Sequence, residues 1–185
     1  VVQLREKQLG RAEIERAAEA PHGPDGPLYP GLCRRLPAAE RRRRMDSEAY
    51  ALRLDVAAAV RRAGGPLYFA DRARGRCRAQ PELLGDVVLA RKELPASYHL
   101  AVVVDDARQG IELVTRGEDL FQATHIQRLL QALLDLPVPD YGHHRLILDE
   151  NGKKFSKRDG AVTLRGLRAA GTAPADIRRH LGFTV

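Results

Sequence analysis

Residues 149–160 read DENGKKFSKRDG, and they set the first question of chemistry. Lys153, Lys154, Lys157 and Arg158 fall within six residues, with Ser156 among them and Gly152 and Gly160 near the ends. Ammonium groups on a hinged loop can close over a triphosphate and neutralise charge that develops during reaction. The bland alternative is a solvated basic turn, the usual state of a charge run. No Gly-rich Walker sequence occurs in the chain, so a P-loop is not supported. Three other groups of residues invite the same weighing. Asp105 and Asp106 are adjacent in YHLAVVVDD; side chains at neighbouring strand positions point to opposite faces, so they read as structural rather than as one paired-carboxylate site. His125 lies in a helical segment and reads as solvating it rather than meeting RNA. Cys77, flanked by arginines in RGRCRAQ, reads as a plain thiol.

The elements that must position these residues follow from periodicity. Residues 11–20, RAEIERAAEA, are strong helix formers without a breaker. PHGPDGPLYPG (21–31) is a loop on its prolines and glycines. AAERRRRMDSEAYALRLDV passes from a charged helix into the strand-like alternation YALRLDV. GDVVLARK (85–92), SYHLAVVVDDARQG (97–110) and IELVTRG (111–117) carry β-branched runs expected as strands. The near-continuous apolar run in YHLAVVVDD suggests burial on both faces, as in a parallel sheet. In DLFQATHIQRLLQALLDL (119–136), Ile126, Leu129, Leu130, Leu133, Leu134 and Leu136 make a helical stripe that PVPD ends. HRLILD (144–149) is expected as a buried strand directly before the basic loop. TLRGLRAAG and TAPADIRRHLGF are expected as short helices, with Thr172 near an N-cap and Pro174 in a first turn. Strand, helix, strand and then a basic loop is the order of an α/β nucleotide-binding architecture, in which ligands gather at the carboxyl ends of strands.

Composition bounds the rest. The 185 residues carry 31 Lys+Arg against 24 Asp+Glu, a net charge of +7. The excess is mostly arginine, which suits phosphate contacts and stacking on bases. Cys33 and Cys77 make no disulfide framework and fit a reducing compartment. Apolar runs such as LAVVV (100–104) are far too short to cross a bilayer, and the first residues, VVQLREKQLG, carry charges where a signal peptide needs an apolar stretch. A cytoplasmic protein, monomeric and away from membranes, is expected.

KFSKR (154–158) resembles the KMSKS signature of class I aminoacyl-tRNA synthetases. Its context, LAVVVDDARQGIELVTRGEDLFQATHIQRLL followed by LILDENGKKFSKRDGA, is similar to the glutamate/glutamine branch of that class, and the similarity extends back through APHGPDGPLYPGLCR. The resemblance implies the α/β fold of that class: a Rossmann-like nucleotide-binding domain, a parallel sheet with flanking helices. It implies that Lys157 and Lys154 act in catalysis and that Lys154, Phe155, Ser156, Lys157 and Arg158 meet ATP, with Mg²⁺. It implies that Tyr98 lines a glutamate site and that Arg116 recognises a substrate carboxylate. Guanidinium suits that role because it can form two parallel hydrogen bonds with a carboxylate; a salt bridge to Glu118 or Asp119 is the alternative. The family's zinc site pairs a Cys-x-Cys with a Tyr-x3-Cys. Tyr29 and Cys33 keep the second half, and QLGRAEIERA has no cysteine where the first should fall. Two ligands do not hold a structural zinc.

The resemblance also fixes what is expected beyond these residues. The six histidines show no H-x-G-H pattern, so the HIGH-type half of the catalytic domain is expected to lie outside this sequence. Residues 11–45 are expected to form the zinc-loop region, 46–150 the second half of the catalytic fold, and 151–185 the basic loop and terminal helices, without an anticodon-binding domain. The short tail resembles that of the stand-alone members of the branch. It implies an ATP-dependent ligase that activates glutamate and transfers it to queuosine in the anticodon of tRNA(Asp). The alternatives are part of a synthetase charging tRNA(Glu), and a non-catalytic RNA-binding module on a degenerate synthetase fold.

Overall fold

The computed structural model describes residues 2–4, 20–24, 26–148, 152, 154 and 163–183. The helix expected over 11–20 lies outside these residues except for Ala20, and Phe155, Ser156, Lys157 and Arg158 lie outside them altogether. The chain divides into two compact units. One comprises Val1–Arg116 and Leu120–His143, the other Gly117–Asp119 and His144–Val185.

In the first unit, strands β1 (Val2–Leu4), β4 (Tyr50–Arg53) and β7 (Val88–Arg91) form an antiparallel sheet in the order β1-β4-β7. The short hairpin β2 (His22–Gly23) and β3 (Gly26–Pro27) belongs to the Pro/Gly-rich loop. A second sheet, β6-β5-β9-β8, is built from β5 (Tyr68–Asp71), β6 (Gly75–Arg78), β8 (Leu113–Gly117) and β9 (Asp140–His144). It is mixed: β5 pairs with β6 as an antiparallel hairpin and with β9 in parallel, Asp71 opposite Tyr141.

Helix α1 (Ala38–Ser47) contains the arginine run, and Glu40 answers it with ion pairs of 2.5 Å to both Arg43 and Arg44. Helix α2 (Val56–Ala63) is capped by Asp55, whose carboxylate accepts from Ala58 N, and ends at Gly64 with φ of 77°. Helix α3 (Tyr98–Arg108) occupies the segment expected as a strand. The Ser97 hydroxyl accepts from Leu100 N at 3.4 Å and starts the helix. One turn then carries Val103 into the core, with Val102 and Val104 packed beside it and Asp105 exposed. Burial of one helical face outweighs the strand propensity of the Val run. Helix α4 (Phe121–Leu133) agrees with its stripe, and Ile126, Leu129 and Leu130 join Val56, Ala59, Leu84, Val87 and Val103 in one core cluster. A second cluster, Phe69, Ala79 and Tyr141, lies under the mixed sheet.

In the second unit, α5 (Leu164–Ala169) is capped by Thr163. Helix α6 (Pro174–His180) starts on Pro174 with Ala173, not Thr172, at its N-cap. Among the described residues the strand expected over 144–149 is not seen: β9 stops at His144, and Ile147 and Leu148 are 44% and 52% exposed. Leu148 makes only an isolated bridge with Lys154. A run that is apolar at nearly every position does not tell a buried strand from an exposed segment.

Candidate functional site

Arg116 sits in β8 with 8% of its surface exposed. A buried guanidinium needs acceptors for five N–H groups, and four are accounted for by neutral side chains. Its Nε donates to His143 Nε2 at 3.1 Å. Its Nη2 donates to Thr124 Oγ1 at 2.6 Å and to Gln127 Oε1 at 2.7 Å. Its Nη1 donates to the Tyr98 hydroxyl at a long 3.4 Å. The guanidinium carbon lies 5.2 Å from the centroid of the Tyr141 ring, within cation–π reach. Among the described residues Arg116 makes no ion pair, so the expected alternative of a bridge to Glu118 or Asp119 is not what is seen.

Tyr98, at the first turn of α3, is 51% exposed. Its hydroxyl accepts from Nη1 and keeps its own proton to donate. One Nη1 hydrogen also has no partner among the described residues. The pair therefore presents two donors, Nη1–H and the Tyr98 O–H. A carboxylate could take one hydrogen bond from each. This differs from the expected two-pronged guanidinium grip, because both Nη2 hydrogens are already used by Thr124 and Gln127.

The support behind Arg116 is also buried. His143, in β9, faces Asp71, at the end of β5, through Nδ1 and Oδ2 at 2.6 Å. Asp71 Oδ1 accepts from Ala73 N and Arg74 N, each at 3.0 Å, and so closes the β5–β6 turn. Burial raises the Asp71 carboxyl, but His143 and the two turn amides together hold it below its ordinary range. Burial, opposed by Asp71, lowers the His143 imidazole. Gln127, fully buried, turns its oxygen to Arg116 and leaves its Nε2 without a partner among the described residues. The amide orientation is thus set by the guanidinium.

Sequence reasoning brought Tyr98 and Arg116 together and missed Asp71, Thr124, Gln127 and His143. A local signal existed for two of them. Thr124, Gln127 and Gln131 recur at helical spacing beside the apolar stripe of α4, and all three are buried. Asp71 and His143 are 72 residues apart, and no local pattern joins them. Asp105 and Asp106 lie on a helix, not a strand. Asp106 is half-buried; burial pushes its carboxyl up, Arg116 pulls it down and Asp105 adds to the rise. His125 does not solvate its helix. It is buried, accepts from Gln80 N at 3.2 Å through Nδ1, and packs edge-on to Phe69 and Phe121.

Of the basic loop, Lys154 is described. Its ammonium pairs with Asp119 at 2.6 Å, with side chains 51% and 33% exposed. That pairing draws the Asp119 carboxyl down. Lys157 lies outside the described residues, so its placement adds nothing to the expectation drawn from sequence. The glycine at 117 has a local reason: a Cβ there would come within 2.5 Å of Asp119 Oδ1 and 2.9 Å of Leu146 Cδ2.

Tyr29 and Cys33 do come together, but as a protein contact. The Tyr29 hydroxyl accepts from Cys33 N at 2.8 Å. Burial pushes its phenol up to about 12. Among the described residues no cluster of three or more His, Cys, Asp or Glu could hold a metal. The two residues do not fit zinc by themselves. The loop is tied instead by an ion pair from Arg34 to Asp86, while Arg53 lies 4.8 Å over the Tyr29 ring. Asp86 also accepts from Val56 N at 3.1 Å. A cleft of about 480 Å³ runs along this surface, lined among others by Tyr29, Arg53, Asp86, Tyr98 and His99.

Comparison with known proteins identifies the family. Residues 6–183 match the family described as tRNA synthetases class I (E and Q), catalytic domain. The glutamyl-Q tRNA(Asp) synthetase of Rhodobacter capsulatus is 49% identical over 184 residues, covering 94% of this chain and 64% of the relative. That of Symbiobacterium thermophilum is 43% identical, covering 94% and 53%. The crystal structure of a glutamate tRNA ligase from Elizabethkingia meningosepticum, in complex with its amino acid, superposes with a TM-score of 0.60 at 25% identity, over 86% of this chain and 32% of that one. The chain thus spans roughly half to two thirds of the length of the curated relatives it matches. With most of its residues inside the family match, the chain belongs to the class I tRNA synthetases of the glutamate and glutamine type, within their catalytic domain.

Proposed function

We propose that this chain carries the substrate-carboxylate and phosphate-loop portion of an ATP-dependent ligase that activates glutamate and transfers it to queuosine in the anticodon of tRNA(Asp). The observation that carries the reading is Arg116: a buried cation held by neutral side chains, with an open Nη1 edge beside the Tyr98 hydroxyl. Such a site attracts a small anion, and the donors are spaced for a carboxylate.

In the reaction, a glutamate carboxylate oxygen attacks the α-phosphorus of ATP. The bond to the bridging oxygen breaks, and glutamyl-adenylate and pyrophosphate form. Arg116 and Tyr98 hold the amino acid in place, so that the attack is effectively intramolecular. Lys157, with Lys154 at the loop entrance, neutralises the charge that gathers on the departing phosphates, and Phe155, Ser156 and Arg158 complete the nucleotide contact. Mg²⁺ bound with ATP would supply further neutralisation of that charge. A hydroxyl of queuosine then attacks the activated carbonyl, an ester forms, and AMP leaves. Tyr29 and Cys33 play no chemical part; a zinc ion at that loop would need donors from elsewhere. No helix among the described residues is long and apolar enough to cross a membrane. A cytoplasmic monomer acting on ATP and tRNA is part of the same proposal. Residues 46–150 would form the second half of the catalytic fold.

The second reading, a synthetase charging tRNA(Glu), draws on the glutamate tRNA ligase superposition. Glutamate-dependent exchange of labelled pyrophosphate into ATP tests the first step. Charging of queuosine-containing tRNA(Asp) against tRNA(Glu) separates the two readings. Absence of exchange in the whole protein, with its HIGH-type half, favours the RNA-binding module.

A further inference from the structure

A guanidinium selects a carboxylate only if its plane is fixed before the substrate arrives. Arg116 has a long, rotatable side chain, so something else must fix it. We propose that Asp71 and His143 are positioning residues for the amino acid substrate. Asp71 sets the imidazole tautomer of His143, and His143 holds Arg116 Nε so that Nη1 and the Tyr98 hydroxyl face the substrate carboxylate. The proposal rests on the glutamate-binding reading of Arg116.

The directions of the two ring bonds to Arg116 and Asp71 are forced, and the Thr124 hydroxyl, 3.3 Å from the same Nε2, takes its role from the tautomer they set. Arginine Nε only donates, so His143 Nε2, 3.1 Å away, accepts. A neutral imidazole that accepts at Nε2 carries its proton on Nδ1, and Nδ1 lies 2.6 Å from Asp71 Oδ2. The carboxylate accepts there, while its other oxygen accepts the two turn amides of Ala73 and Arg74. The side chains of both Asp71 and His143 are fully buried, so water offers no alternative partner. The depressed Asp71 and His143 agree with an ionised carboxylate beside a neutral ring.

The substitution Asp71→Asn separates positioning from mere packing. The amide has one acceptor oxygen where the carboxylate has two. The turn amides claim that oxygen, and the amide N–H₂ then meets His143 Nδ1. The imidazole must accept at Nδ1 and carry its proton on Nε2, which sets donor against donor at Arg116 Nε. In the full chain, ¹⁵N imidazole resonances should report Nδ1–H in the wild type and Nε2–H in Asp71→Asn. The KM for glutamate should rise on the order of tenfold to a hundredfold, the loss of a well-placed charged hydrogen bond. The KM for ATP should stay where it was. His143→Gln keeps an acceptor for Arg116 and a donor for Asp71, so it should retain a glutamate KM near that of the wild type, whereas His143→Leu should raise it.

A purely structural role lowers melting temperature in these variants and leaves the glutamate KM alone. An unchanged glutamate KM in Asp71→Asn overturns the proposal, as does an Nε2–H tautomer in the wild type. If Asp71→Asn does not fold, the His143 pair decides: equal KM values for Gln and Leu overturn it. A wild-type chain with no glutamate-dependent exchange removes the reading underneath, and the proposal with it. Wild-type exchange with an unmoved variant removes the proposal alone.

Discussion

Arg116 and Lys154 are both cations for which the family resemblance implies contact with substrate, and the protein holds them in opposite ways. Arg116 is buried and satisfied by His143, Thr124, Gln127 and Tyr98, all neutral. Lys154 is half-exposed and satisfied by a carboxylate, Asp119. Neutral acceptors fix the geometry of a charge without cancelling it, so the field of Arg116 reaches beyond its partners, as far as half-buried Asp106. An exposed ion pair does the reverse: it neutralises the charge and, screened by water and salt, holds its position weakly. The first arrangement suits selection of an anion of fixed shape. The second suits a loop cation that must let go of its resting partner to meet a phosphate.

The comparison breaks hardest at Arg116. Arg116→Lys retains the charge and loses the planar fork, and glutamate-dependent kcat/KM should fall by about 3 kcal/mol, roughly a hundredfold. A fall of less than threefold in the pyrophosphate exchange assay would place the amino acid elsewhere. Gln127→Glu is gentler and more telling, because it gives Arg116 the kind of partner that Lys154 has. The internal carboxylate competes with the substrate's, and the KM for glutamate should rise by about tenfold, one well-formed charged hydrogen bond being worth at least about 1.5 kcal/mol, with no loss of melting temperature.

Acid should separate the two regions next. His143 and His125 are buried, and burial lowers both below the ordinary imidazole value of 6.5. In the unfolded chain they take up protons as pH falls through that value, while in the fold they resist. The unfolded state then binds more protons, and stability falls. Melting temperature should drop between pH 7 and pH 5, and His143→Gln should flatten part of that drop. The depressed Asp71 adds its loss only further down, as pH falls below 3.8. The smallest stability change belongs to Lys154→Met. It should alter stability by less than about 1 kcal/mol, and high salt should erase even that difference. The glutamate KM should hold while the exchange rate falls. A larger cost by calorimetry would mean that the loop is anchored by this pair.

Much of this was legible before the structure. The stripe of α4 was spelled out by Ile126, Leu129, Leu130 and Leu133, and the resemblance led straight to Tyr98 and Arg116. Two kinds of information were not there. One was the state of apolar runs. LAVVV reads as a strand by propensity, yet Ser97 caps it into a helix with Val103 turned inward, and RLIL reads as buried although Ile147 and Leu148 are exposed. A run that is apolar at nearly every position carries no period, so it cannot tell a helix from a strand or a core from a surface. The other was long-range pairing. Nothing near Asp71 announces His143, because the contact is made by the parallel pairing of β5 with β9.

Asp71 carries one further consequence, for anyone who would retarget this scaffold to another amino acid. One of its oxygens closes a surface turn and the other steadies the imidazole of His143, on the strand beside that of Arg116. An insertion or deletion between Asp71 and Gly75 would re-register the hairpin and, through the same carboxyl group, retune the choice of substrate. The turn looks like disposable decoration. It belongs in any mutant library built around the pocket, and a chimera that swaps it between relatives should be expected to change discrimination as well as shape.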